Sequence, residues 1–402
     1  MQYLPPKTEC TIFCVLTDMQ RNLYELLLAA LKEDVLLKNA QEGDSKKTKK
    51  GEESKRGKSP ALSLLTTLKK LCNSPDLLIE MTVRKPDSLP DSVITELKPY
   101  KSKKSSEVVC HADFSSKVAF TRTLLLKIFK ESDDRVVIVS MYKQTLEVLA
   151  SLCKQNNIKY LQLDGETSIK KRQTLVDRLN DPRGEETVML LSSKAGGVGL
   201  NLIGANHLIL FDGSWNPADD AQAMARVWRP GQKKECFIYR LLCTGTVEEK
   251  IYQRQLTKTA LSARVVEQKK GTDGSNFSTS DLRDLFKLRT ETICETHDLL
   301  GCRCARREKT FGNSKVTVDE LLQWEHVSDI ENYSNSNIAK AGGGRASFMF
   351  LKRTDTKTNA CEDEKLEVEK DEVLFDDLRG VDMEEKEGEE AYEDENFEYE
   401  EE

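Results

Sequence analysis

Five short apolar runs restrict this chain more than any other feature: "RVVIVS" (135–140), "KYLQLD" (159–164), "TVMLLS" (187–192), "HLILFD" (207–212) and "CFIYRLL" (236–242). Stretches of helical character separate them, near 143–155, 168–180 and 216–229, and a long one follows at 246–266. Continuous β-branched runs of this length are strands buried on both faces, and the helices between them are crossovers. The fold class is therefore α/β: an open, doubly wound lobe with a parallel sheet, over residues 107–270. Ligands on such sheets sit beyond the carboxyl ends of the strands. The polar residues that follow the strands, Ser140, Asp164-Gly165, Ser192-Ser193-Lys194 and Asp212, are thus the first to read for function.

The flanks carry less information. Thr17 and Gln20 have capping-box spacing ahead of Leu23, Leu26, Leu27, Ala30 and Leu31, which predicts a helix over 17–40. A polar insert at 41–59 holds seven basic residues between Lys46 and Lys58 and no apolar period. It reads as a solvated loop first, and otherwise as a nuclear address or a phosphate-binding arm. Ser59-Pro60 opens a second helix with Leu62, Leu65, Leu68 and Leu71 as its stripe. Past residue 270 come a Gly/Ser/Asn linker, a capping-box pair at Ser278 and Asp281, a Cys/His segment at 294–326 and a last predicted strand at 346–353. Four segments follow: 1–106, 107–270, 271–355 and an acidic tail, 356–402.

Charge separates tail from body. Residues 362–402 hold 22 acidic and 4 basic residues, a net of −18, against −7 for the whole chain; residues 1–361 therefore carry +11. A basic body fits a polyanionic partner, and the tail is too polar to pack a core. No apolar run is long enough to span a membrane. The eleven cysteines are scattered, mostly within apolar runs, which fits reduced thiols rather than a disulfide framework.

Two stretches can bind an anion. In "SSKAGGVGLNL" (192–202), Gly196, Gly197 and Gly199 allow close backbone approach, and Ser193 and Lys194 add donors, as in an anion-binding nest. In "NPADDAQAMARVWRPGQKK" (216–234), a helix ending at Pro230-Gly231 puts Gln222, Arg226 and Arg229 on one face at i, i+4 and i+7. Two guanidinium forks and an amide suit bidentate recognition of phosphate oxygens. The plainer reading pairs the arginines with Asp219 or Glu235.

These stretches, with "LDGETSIKKRQTLVDRLN" and "YRLLCTGTVEEKIYQRQ", resemble the second RecA-like lobe of Swi/Snf-family DNA-dependent ATPases. "LPPKTECTIFCVLTDMQRNLYELLL" and "LKKLCNSPDLL" are similar to the tail of that family's first lobe, with Ser74 where the family usually has histidine. "IYQRQLTK", "FSTSDLRDLFKL" and "THDLLGCRC" resemble the recombination-repair translocase (Rad fifty-four-like) branch most. The resemblance implies ATP and Mg²⁺, with Arg226 and Arg229 as arginine fingers and Gln222, Gly197 and Gly199 beside the nucleotide. It implies that Ser140, Lys143, Ser193, Lys194 and Gly196 contact DNA. It further implies double-stranded DNA and a strand-exchange recombinase filament as partners, a nuclear location and no membrane.

No G-x-x-x-x-G-K-[ST] loop and no D-E-x-H motif occurs in the sequence, so most of the first ATPase lobe, and with it the main hold on Mg²⁺, is expected elsewhere. Alone, the chain is expected to bind DNA weakly and not to hydrolyse ATP. His297, Cys302, Cys304 and His326, with Cys294 spare, can form a zinc site of the kind this branch carries, or be structural thiols and histidines. Two other functions compete: a non-catalytic DNA- or partner-binding scaffold, and a nucleosome remodeller of the same family.

Overall fold

Along the strand β2 (Val136–Ser140) the side chains alternate: Val136 and Ile138 enter one core, Val137 and Val139 the other. Both faces of the sheet are covered, as the uniform apolarity of the runs requires. The computed structural model describes residues 4–42, 60–85, 88–101, 109–196, 199–267, 284–300, 319–333 and 336–354. Their elements are β1 (Lys7–Cys14), α1 (Asp18–Glu42), α2 (Pro60–Asn73), α3 (Pro75–Arg84), α4 (Asp91–Leu97), α5 (Ser116–Glu131), β2 (Val136–Ser140) and α6 (Lys143–Gln155). Next come β3 (Tyr160–Leu163), α7 (Ile169–Asn180), β4 (Val188–Ser192), β5 (His207–Leu210), α8 (Pro217–Met224), β6 (Cys236–Cys243) and α9 (Val247–Glu267). The last are α10 (Glu295–Leu300), α11 (Asp319–Leu322), β7 (Glu325–Val327), α12 (Ser336–Gly342) and β8 (Ala346–Thr354).

The eight strands form one sheet in the order β3-β4-β2-β5-β6-β1-β8-β7. The five predicted runs are its parallel half. β1 joins them in parallel, with Lys7 opposite Cys236 and Cys14 opposite Cys243. β8 runs antiparallel to β1 and carries β7 on its other side. Strands from before residue 106 and after 270 thus complete the sheet. Phe13 of β1 meets Tyr252, Phe348 and Phe350 edge-on.

The helix starts follow the local chemistry. Thr17 and Gln20 form a reciprocal capping box, each side chain accepting the other's backbone N–H. Leu65, Leu68 and Leu71 of α2 are buried, while Leu62 stays exposed. Ser74 caps α3 by accepting the Asp76 N–H. The expected capping box at Ser278 and Asp281 lies outside the described residues. No described helix is long and apolar enough to cross a membrane.

Candidate functional site at the carboxyl edge of the sheet

Asp212, two residues past the end of β5, is buried and so needs donors. It accepts from Ser140 Oγ at 2.5 Å, Met141 N at 2.7 Å and Asn73 Nδ2 at 2.7 Å. Ser140 is therefore a buried brace of the turn between β2 and α6. Lys143, at the start of α6, reaches outward and pairs with exposed Glu166 at 2.5 Å. That hydrogen bond raises the Lys143 pKa.

The strand end of β4 leads into a tight 3₁₀ turn, 193–196, which carries Ser193, exposed Lys194 and Gly196. Arg172, which the sequence did not single out, holds this turn. It donates to Ala195 O at 3.1 Å, Thr167 O at 2.8 Å and Gly165 O at 3.2 Å, tying the turn after β3 to the turn after β4. Its signal was hidden because three carbonyl partners leave no pattern in sequence. Gly197 lies outside the described residues. Gly199 has open space where a Cβ would stand. The described glycines at positive φ are Gly231, Gly245 and Gly344, and Gly199 is not among them.

The arginine segment differs from the predicted helix. Asn216 caps α8 through the Ala218 N–H, and Asp219 and Asp220 occupy its first turn, where the helix dipole favours anions. The helix ends at Met224, earlier than predicted, so exposed Gln222 is helical while Arg226 and Arg229 lie on the tight turns that follow. Pro230 explains part of this. It has no N–H to give to Arg226 O, and that carbonyl instead accepts the Leu202 N–H at 3.1 Å. Arg229 Nη1 donates to Leu200 O at 3.3 Å. The arginine turn and the Gly-rich loop are thereby one structure. Both guanidinium groups are half-buried, and burial lowers the Arg226 pKa. Of the acids named as rival partners, Asp219 accepts from Ser214 Oγ at 2.6 Å and Glu235 from Thr8 Oγ1 at 3.2 Å. Trp228, between the arginines, donates to Pro5 O at 2.9 Å, and Lys7 Nζ stands 3.9 Å from its ring centroid.

A row of buried ions with no signature in sequence accompanies this edge. Lys117 Nζ bonds Glu248 Oε1 at 2.8 Å and Asn73 Oδ1 at 2.9 Å, and Lys69 Nζ donates to Gly213 O at 3.1 Å. Burial lowers the Lys69 pKa; burial also opposes charge on Lys117, but Glu248 and its neighbours raise that pKa overall.

The zinc candidates are partly placed. His297 and His326 lie with ring centroids 5.2 Å apart, against Phe348 and Phe350. Cys294 Sγ receives the His297 N–H at 3.3 Å and approaches Glu249 Oε1 at 3.5 Å. Cys302 and Cys304 lie outside the described residues. Among the described residues, the one set of three ligand atoms gathered within 4.8 Å is Cys72, Cys243 and Glu248. It does not fit a metal: both Glu248 oxygens are already used, by Lys117 and by the Cys243 N–H.

The helicase conserved C-terminal domain matches residues 116–231, and the SNF2-related domain matches residues 1–77. A DNA repair and recombination protein RAD54-like of Gallus gallus is 42% identical over 87% of this chain and 45% of its own length. The DNA repair and recombination protein RAD54 of Saccharomyces cerevisiae is 42% identical over 84% of this chain and 36% of its own length. The chain thus spans less than half the length of these relatives. The C-terminal part of the Fun30 ATPase domain, a solved structure, is 26% identical with a TM-score of 0.48, over 71% of this chain and 96% of that one. The chain belongs to the SNF2-related (Swi2/Snf2) family and is similar to its RAD54-like members over most of its own length.

Proposed function

We infer that this chain is the second-lobe half of a DNA-dependent ATPase, a duplex translocase of homologous recombination and double-strand break repair. It would work in the nucleus beside a strand-exchange recombinase filament. The observation that carries the reading is the joining of the arginine turn to the Gly-rich loop, through Arg226 O to Leu202 N and Arg229 to Leu200 O. One loop would touch DNA phosphates and the other the nucleotide, so a shift in either moves both.

Arg226 and Arg229 neutralise charge on the transferring phosphoryl group, and Gln222 and Gly199 line the nucleotide side, with Gly197. Ser193, Lys194, Gly196 and Lys143 meet duplex phosphates, and Ser140 braces the turn behind Lys143. Such contacts are to the backbone, so binding is sequence-nonspecific and salt-sensitive. This half supplies cationic forks and its sequence holds no phosphate loop; Mg²⁺ would be held by groups of the other lobe.

The test is DNA-stimulated ATP turnover, first with this chain alone and then with a first lobe added. We expect no turnover alone and turnover in the mixture. Arg226→Ala or Arg229→Ala should then lower turnover by about 10³-fold or more while duplex binding stays within a few-fold. Normal turnover in both variants removes the finger assignment. Persistent inactivity with firm DNA binding supports the scaffold reading instead. Zinc on His297, Cys302, Cys304 and His326 belongs to the same proposal; metal analysis of the purified chain should find one zinc, lost on Cys302→Ser, and a metal-free chain ends that claim.

A further inference from the structure

The first turn of α6 lacks a cap of its own. Its N-cap residue, Tyr142, makes no side-chain capping hydrogen bond, although a helix start needs a fixed entry geometry. The turn is held from outside, by the last turn of α2. Asn73 Nδ2 donates to Thr145 Oγ1 at 3.0 Å and to Asp212 Oδ2 at 2.7 Å, and Asp212 in turn accepts from Ser140 Oγ and Met141 N. Lys69 Nζ reaches Met141 Sδ at 3.6 Å, and Lys69 and Lys70 stand 5.6 and 5.8 Å from the Tyr142 ring centroid.

An amide is what this place needs. Asn73 is fully buried and uses both its N–H donors and its oxygen, which accepts from Lys117 Nζ. Aspartate would offer no donor to Asp212, and leucine, of similar shape, would offer nothing. Lys117 is itself fixed by Glu248, whose second oxygen takes the Cys243 N–H at the end of β6. Asn73 therefore stands on a strut rooted in the sheet and grips residues 140–145 from above. Lys143, the one residue of that turn that pairs outward with exposed Glu166, is the group so aimed.

We propose that Asn73 is a positioning residue for duplex binding, holding Lys143 at the rim of the sheet through Thr145 and Asp212. The proposal rests on the reading of this rim as the DNA-facing side. Glu166 occupies Lys143 until a phosphate replaces it. A rigid turn presents the ammonium in one place; a loosened turn leaves it mobile and weakens the contact.

A double-mutant cycle on the full chain tests this, with fluorescence anisotropy on a duplex of arbitrary sequence over a series of salt concentrations. Lys143→Ala should weaken binding roughly three- to tenfold and lower the salt slope by about one. Asn73→Leu should do the same, and the double variant should be no weaker than Lys143→Ala alone. Circular dichroism melts report whether Asn73→Leu folds; if it does not, Thr145→Val, which removes only the acceptor on α6, takes its place in the cycle with the same expectation. Wild-type binding by the folded Asn73 or Thr145 variant, or losses that multiply in the double variant, overturns the proposal while Lys143→Ala still weakens binding. No effect of Lys143→Ala overturns the proposal together with the reading of the rim.

Discussion

Glu249 shows how single buried groups fix this lobe. It is fully buried, and both its oxygens are in use: one takes the Gly245 N–H at 2.6 Å, the other the Thr296 N–H at 2.7 Å and the Thr296 hydroxyl at 2.8 Å. Gly245 must be glycine, at φ +66°, because a Cβ there would meet Arg289 O at 1.8 Å. Burial raises the Glu249 pKa above its ordinary value, so the ionised carboxylate costs stability as pH rises from the unfolded value through the folded one. Glu249→Gln removes the charge but leaves one acceptor oxygen for two backbone donors on opposite sides. It should therefore destabilise the chain by about 1–3 kcal/mol at neutral pH, read by urea melts. A variant as stable as wild type would mean that the charge costs as much as the hydrogen bonds return. Beside it, Lys250 pairs with Glu295 at 2.5 Å and joins α9 to α10. None of these buried ions was legible in sequence, because a lysine or glutamate on a helix reads as solvated until its distant partner is known.

At the scale of elements, the sequence was a good guide where structure is local. The five apolar runs became strands, the Thr17–Gln20 pair became a capping box, and 346–353 became most of β8. It was a poor guide where tertiary contacts compete with helix propensity. Residues 225–229 continue the helical pattern of α8, yet buried Val227 and half-buried Trp228 turn into the second core and draw the chain out of the helix. Trp228 is the hinge pin of that turn, through Pro5 O and the Lys7 ammonium. Trp228→Ala should cost roughly 2–4 kcal/mol in thermal or urea unfolding. It should also free the arginine turn, seen as faster amide exchange at Leu202, whose N–H it holds in place. Unchanged exchange there would separate Trp228 from the site. A parallel sheet with polar residues along its carboxyl edge was legible in the alternation of apolar runs and helices, but Arg172 and Asn73 were not: one holds backbone carbonyls, which leave no sequence pattern, and the other holds the side chains of Thr145, Asp212 and Lys117, distant in sequence.

For the whole molecule, charge and topology matter most. Cutting the chain after residue 361 changes its net charge from −7 to +11 while leaving every described element intact. The shortened chain should melt at the same temperature and bind duplex DNA more tightly at low salt, a gain that fades as salt rises. Equal affinity at all salt concentrations would show that the tail does not influence the field seen by DNA. The placement of β1 has a different consequence. This strand, from the start of the chain, lies between β6 and β8, with Lys7 opposite both Cys236 and Thr354. During synthesis it must wait, unpaired, for partners more than half a chain away. Loop closure over such separations is slow, and an apolar strand with two open edges invites association with other chains. The nascent polypeptide should therefore need protection from association until residue 354 has emerged, and amino-terminal fragments that stop short of β8 should aggregate rather than fold.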